Sequence, residues 1–116
     1  MKILFFGASS EIARSINKKI KADVYGISTK NFKNNYKELY KVNKYSLNEI
    51  KRILKKKKIR FDHIFFFNGV YEHSLLRNFD IRNFSKILDI NYNTIISSSL
   101  LMIKSKFLKE KGSICF

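Results

Sequence analysis

Two short runs, Ile3-Leu4-Phe5-Phe6 and Ile64-Phe65-Phe66-Phe67, contain no polar residue, and each stops at a turn-forming signal, Gly7 in the first and Asn68-Gly69 in the second. A strand with one wet face alternates polar and apolar residues, so an unbroken apolar run this short indicates a strand buried on both faces. A parallel sheet with helices packed on each side buries strands in that way. The segments that follow carry the matching helical pattern. Ile12, Ala13, Ile16 and Ile20 recur at helical spacing after Gly7, and Ser9 or Ser10 is placed to cap them. Leu47, Ile50, Ile53 and Leu54 do the same after Ser46, which with Glu49 forms a Ser-x-x-Glu capping box.

The remaining strands are expected at Asp23 to Ile27 (ending at Ser28 and Thr29), Leu39 to Asn43, and Ser113 to Phe116, with Phe61 to Phe67 as the fourth. Asn31 to Lys37 reads as polar loop without a helix. A long helix is expected to begin near Ile81 to Phe84 and to continue to about Lys109, with Gly112 as its stop. Right-handed crossovers make such a βα series a doubly wound, Rossmann-like α/β sheet, here incomplete, with strand order 3-2-1-4-5.

One domain accounts for all 116 residues, and neither a linker nor a repeat divides them. The single cysteine, Cys115, excludes an internal disulfide and a cysteine-based metal cluster, and His63 and His73 lack the partners of a zinc site, so no metal is expected. The first apolar run is too short for a signal peptide or a membrane span, which leads to an expectation of a soluble cytoplasmic protein. The formal charge of +15 suits nucleic acid in principle, but 19 of the 24 basic residues are lysines spread along the chain. The densest run, Lys51 to Arg60, is interrupted by Ile53 and Leu54, the apolar stripe of an amphipathic helix whose lysines form the solvated face. Neither a nucleic-acid nor a membrane partner is expected.

Function concentrates in Ile3 to Ala13, an apolar strand, a tight turn and a capped helix. In this architecture ligands sit beyond the carboxyl ends of the strands, and the first turn offers backbone N–H groups to a pyrophosphate. Gly7 permits the turn, Ser9 and Ser10 place hydroxyls beside the phosphates, and Glu11 and Ile12 open the helix. The end of the second strand reads the adenosine ribose. An acid there selects NAD, whereas Ile27-Ser28-Thr29-Lys30-Asn31 contains none, and Lys30 and Lys33 lean toward NADP.

These segments resemble the short-chain dehydrogenase/reductase family, and the resemblance runs over essentially the whole chain. Phe6-Gly7-Ala8-Ser9-Ser10-Glu11-Ile12-Ala13 is similar to its Thr-Gly-x-x-x-Gly-x-Gly turn, with Glu11 and Ala13 in place of two glycines. Asn43-Lys44-Tyr45-Ser46 resembles its Asp-Val-Thr-Asp stretch, and Asn43 takes the place of the adenine-holding aspartate. Phe66-Phe67-Asn68-Gly69 resembles Asn-Asn-Ala-Gly, with Gly69 retained. Phe84 to Thr94 resembles the helix carrying the asparagine of the family's proton relay and places Asn91 there as the candidate catalytic residue. Gly112 to Phe116 resembles the strand leading to the catalytic serine, about two residues beyond.

The resemblance implies an NAD(P)-dependent oxidoreductase acting on an alcohol or ketone as small-molecule substrate. The family's serine and Tyr-x-x-x-Lys pair have no match within residues 1–116. Tyr40-x-x-x-Lys44 has the spacing but crosses a strand, where residues four apart do not form a helical pair. The chain is therefore expected to hold cofactor without catalysing alone. A non-catalytic Rossmann-like module is the alternative, favoured by Glu11, Asn43 and the absent pair. A basic nucleic-acid-binding protein is a third reading. The apolar helix over 83–109 is wider in its apolar face than one packing contact needs, which points to a homo-oligomer or to dependence on a further segment.

Overall fold

The computed structural model describes residues 1–69 and 80–116; His73 lies outside the described residues. Five strands, β1 (Lys2–Phe6), β2 (Asp23–Ser28), β3 (Glu38–Lys41), β4 (Phe61–Phe66) and β5 (Leu108–Cys115), form one sheet. Every pairing is parallel, and the order is β3-β2-β1-β4-β5. The helices are α1 (Glu11–Lys19), α2 (Leu47–Lys57), α3 (Ile81–Leu88) and α4 (Thr94–Lys104), with a π turn, Asp89–Asn93, joining the last two.

The strand periodicity divides the interior in two. Leu4, Phe6, Ile27, Ile64 and Phe66 point to a core that Ile50 and Leu54 of α2 and Met102 of α4 complete. Ile3, Phe5 and Val24 point the other way, toward Ala13 and Ile16 of α1. Helices on both faces make this a doubly wound α/β fold, as the fully apolar strands require. The segment between β2 and β3 is a loop. Asn17 Nδ2 donates to Asn35 Oδ1 at 3.0 Å, the Arg14 guanidinium lies 5.6 Å from the Phe32 ring centre, and Tyr36 donates to the Ala8 carbonyl at 2.9 Å. These contacts fasten the loop over α1, and burial of the Tyr36 phenol pushes its pKa up to about 12.

Three expectations are corrected. The helix predicted to run to about Lys109 ends at Lys104, and Gly112 lies within β5 rather than stopping a helix. The stop is made by Lys106 in the left-handed region, φ 57°, with its N–H on the Ile103 carbonyl and the Phe107 N–H on that of Met102. That is a Schellman cap, and Phe107 is returned beside Met102 in the core. The strand predicted at Ser113 consequently begins at Leu108, and a bulge between Phe61 and His63 absorbs the extra β5 residues. Finally, Ser46 precedes α2 but makes no side-chain cap, and its N–H bonds the Lys44 carbonyl at 2.7 Å rather than the Glu49 carboxylate. At α1 the cap is Ser10, whose Oγ accepts from the Ala13 N–H at 3.1 Å.

Candidate functional site

A cleft of about 780 Å³ opens at the carboxyl ends of the strands. Each of the first four strands delivers one piece of its wall. Gly7, Ser9 and Ser10 come from the β1–α1 turn, Thr29 and Lys30 follow β2, Asn43 to Ser46 follow β3, and Phe67 to Gly69 follow β4. Asp89 and Ile90 of the π turn and Thr94 of α4 close the remaining side.

Gly7 is fixed by two independent demands. Its φ is +70°, and a Cβ there would lie 2.4 Å from the Asn68 backbone nitrogen and 2.6 Å from the Phe67 carbonyl carbon. Neither backbone can yield, because Phe67 N–H is held by the Phe6 carbonyl at 2.8 Å. The turn is closed by Ser10 N–H on the Gly7 carbonyl at 3.0 Å and tied to β2 by Ala8 N–H on the Ile27 carbonyl at 3.1 Å. The chain thus enters α1 beside the end of β4, and the helix N-terminus, capped by Ser10, adjoins the cleft. Ser10 spends its lone pair on the cap, and its hydroxyl proton can still be donated to an anion.

Ser28 is fully buried and does not line the cleft. Its Oγ accepts from the Lys30 N–H and donates to the Lys30 carbonyl, both at 3.0 Å, so it shapes the loop that presents Lys30. Lys44 reaches the same cleft from the β3 loop, a position that sequence reasoning passed over. Both lysines are exposed, and Asp89 is the one acid among the described residues that line the cleft. Asp89 accepts from Asn93 Nδ2 at 2.8 Å. Tyr45, which the sequence marks only as part of the stretch after the third strand, supplies an aromatic wall. It packs 6.3 Å from the Phe6 ring and hydrogen-bonds the Gly7 backbone, and burial raises its pKa.

Of the candidate residues, the fold brings Gly7, Ser9, Ser10, Lys30, Asn43, Asn68 and Gly69 to one cleft. Glu11 and Ile12 are exposed on the first turn of α1 outside it. Asn91 lies in the π turn next to the cleft wall, its Oδ1 3.4 Å from where a Cβ on Gly69 would sit. Tyr40 stands on β3 with its hydroxyl on Glu38 at 2.8 Å, which removes it from any dyad with Lys44. Among the described residues no group of His, Cys, Asp and Glu side chains is arranged to hold a metal.

No protein-family model matches the chain, and no curated protein matches it. Solved structures do. A short-chain dehydrogenase family protein from Francisella tularensis matches with TM-score 0.76 and 23% identity over 97% of this chain and 48% of its own. A short-chain dehydrogenase from Leptospira borgpetersenii, solved with bound NAD+, matches with TM-score 0.79 and 19% identity over 97% of this chain and 49% of its own. The short-chain dehydrogenase/reductase of Serratia marcescens gives TM-score 0.76 and 14% identity, covering 97% and 55%. The chain therefore spans about half the length of the structures it matches, and over that half it has the Rossmann-like fold of the short-chain dehydrogenases.

Proposed function

We propose that the cleft binds a nicotinamide dinucleotide and that the chain is the cofactor-holding part of an NAD(P)-dependent oxidoreductase for an alcohol or ketone. The observation that carries this reading is the contact at Gly7, where the β1 turn meets the end of β4 with no space for a side chain. Such closeness brings the α1 N-terminus up to the cleft, where its dipole can face a pyrophosphate, while the Ala8 and Ser10 N–H groups hold the turn itself in shape. The cleft also suits the ligand in size, falling within the roughly 300–1,000 Å³ of cofactor sites. The dinucleotide supplies hydride chemistry when bound. The chain's own share is to hold it: Ser9 and Ser10 beside the phosphates, Asn43 and Tyr45 at the adenine end, Asn68 and Gly69 along the far ribose.

We assign NADP rather than NAD on the two lysines. Lys30 and Lys44 approach from adjacent loops, and the one carboxylate among the described cleft-lining residues, Asp89, comes from the π turn, where it accepts from Asn93, rather than from the loop after β2. NADPH binding followed by fluorescence tests the reading. NADPH is expected to bind tighter than NADH, and the Lys30→Glu/Lys44→Glu variant to lose that preference by about tenfold or more, the scale of a charge-assisted contact. An unchanged ratio would remove the lysines from the site.

A non-catalytic nucleotide-binding module is supported by one observation: the Tyr-x-x-x-Lys spacing present, Tyr40 to Lys44, is occupied structurally by the bond to Glu38.

A further inference from the structure

The π turn changes the hydrogen bonding of the cleft wall. In an uninterrupted α-helix the Thr94 N–H would bond the Ile90 carbonyl. Here it bonds the carbonyl of Asp89, one residue further back, and the Thr94 hydroxyl donates to that same oxygen at 2.7 Å. The Ile90 carbonyl instead accepts from Asn68 Nδ2 at 3.2 Å. One side chain at the end of β4 thus holds a carbonyl that the π turn releases.

The other end of that amide is unusual. Asn68 Oδ1 is buried and has no hydrogen-bond partner among the described residues, although Asn68 lines the cleft. An amide oxygen withdrawn from water without a donor costs free energy, and such a group is satisfied when a donor arrives. The rigid surroundings leave the amide little freedom to turn. Its backbone nitrogen is the atom pressed against Gly7, and the next residue, Gly69, packs toward Asn91 of the π turn.

We propose that Asn68 is a two-sided positioning residue. Its Nδ2 pins the π turn, and its Oδ1 accepts from a hydroxyl or amide donor of the bound nucleotide, so that ligand binding and π-turn geometry are coupled through one side chain. This rests on the nucleotide reading above.

Amide hydrogen exchange and NADP titration on the full chain, as wild type, Asn68→Ala and Asn68→Ser, test it. The serine variant keeps a polar atom too short to reach Ile90 and guards against a folding defect in the alanine variant. Without nucleotide, both variants are expected to exchange the 89–94 amides about fivefold or more faster than wild type, while β1 and β4 exchange unchanged. With NADP, both are expected to bind about tenfold more weakly. Nucleotide should slow exchange at 89–94 in wild type and no longer in the variants. Weakened binding with wild-type exchange at 89–94 would overturn the pin, and faster exchange with undiminished affinity would overturn the acceptor. If wild type binds neither NADP nor NAD, the nucleotide reading and the acceptor fall together, and the ligand-free exchange still decides the pin.

Discussion

The Asp62 carboxylate at the start of β4 accepts from the Lys2 N–H of β1 at 2.8 Å and from Lys109 Nζ of β5 at 2.8 Å. The Lys109 hydrogen bond, followed by that from Lys2, lowers its pKa to about 2. A carboxyl depressed in the folded state stabilises above its unfolded value, near 3.9, and that stability is lost as pH falls toward the folded value. The urea midpoint is therefore expected to drop between about pH 4 and pH 2, and Asp62→Asn to be less stable at neutral pH and flatter across that window. Parallel acid curves for the two proteins would contradict the assignment. Residues of this kind explain what was legible. Gly7 and Gly69 could be marked from sequence because each punctuates an apolar run, and Ser9 and Ser10 because they start a helix. Lys44, Tyr45, Asp89 and Thr94 could not, since their place on the cleft depends on how the loops after β3 and the π turn meet, which no local pattern encodes.

At the level of elements, the strands were readable wherever burial on both faces stripped the polar residues, as in β1 and β4. The strand order followed from right-handed crossovers together with the doubly wound arrangement that strands buried on both faces call for. Helix ends were less readable, for a definite reason. Both α2 and α4 are followed by a lysine in the left-handed conformation, Lys58 at φ 52° and Lys106 at φ 57°, where a glycine would ordinarily announce the stop. The only glycine nearby, Gly112, serves the β4–β5 bulge, where a Cβ would lie 2.6 Å from Leu108 Cδ1 and 2.7 Å from the Asp62 carbonyl. The π turn had no sequence mark of its own, because Asp89 to Asn93 continues the helical run without a breaker. The capping box at Ser46 failed because the tight turn through Lys44 claimed the serine N–H first.

Across the described residues, one long apolar stripe of the last helices is exposed. Phe84, Leu88, Tyr92, Ile96 and Leu100 recur in steps of four along α3, the π turn and α4, and all five are exposed, as is Ile103. The wider π turn takes up part of the drift that a step of four incurs against a turn of about 3.6 residues. Monomers rarely leave so long an apolar stripe in water. The homo-oligomer expected from the sequence makes this stripe the place to test: if it is an interface between copies, sedimentation velocity shows association above the monomer that is lost in Leu100→Asp, and a monomeric wild type contradicts it. Among the described residues no helix is long and apolar enough to cross a membrane. The central claim, that the Gly7 turn and the four strand ends form a dinucleotide site, is tested most directly by calorimetric titration of the chain with NADP and then NAD, beside Gly7→Asp. Saturable binding, tighter for NADP and lost in the variant, is the expected result. A folded wild-type chain that binds neither, or a variant that binds as well as wild type, would contradict it.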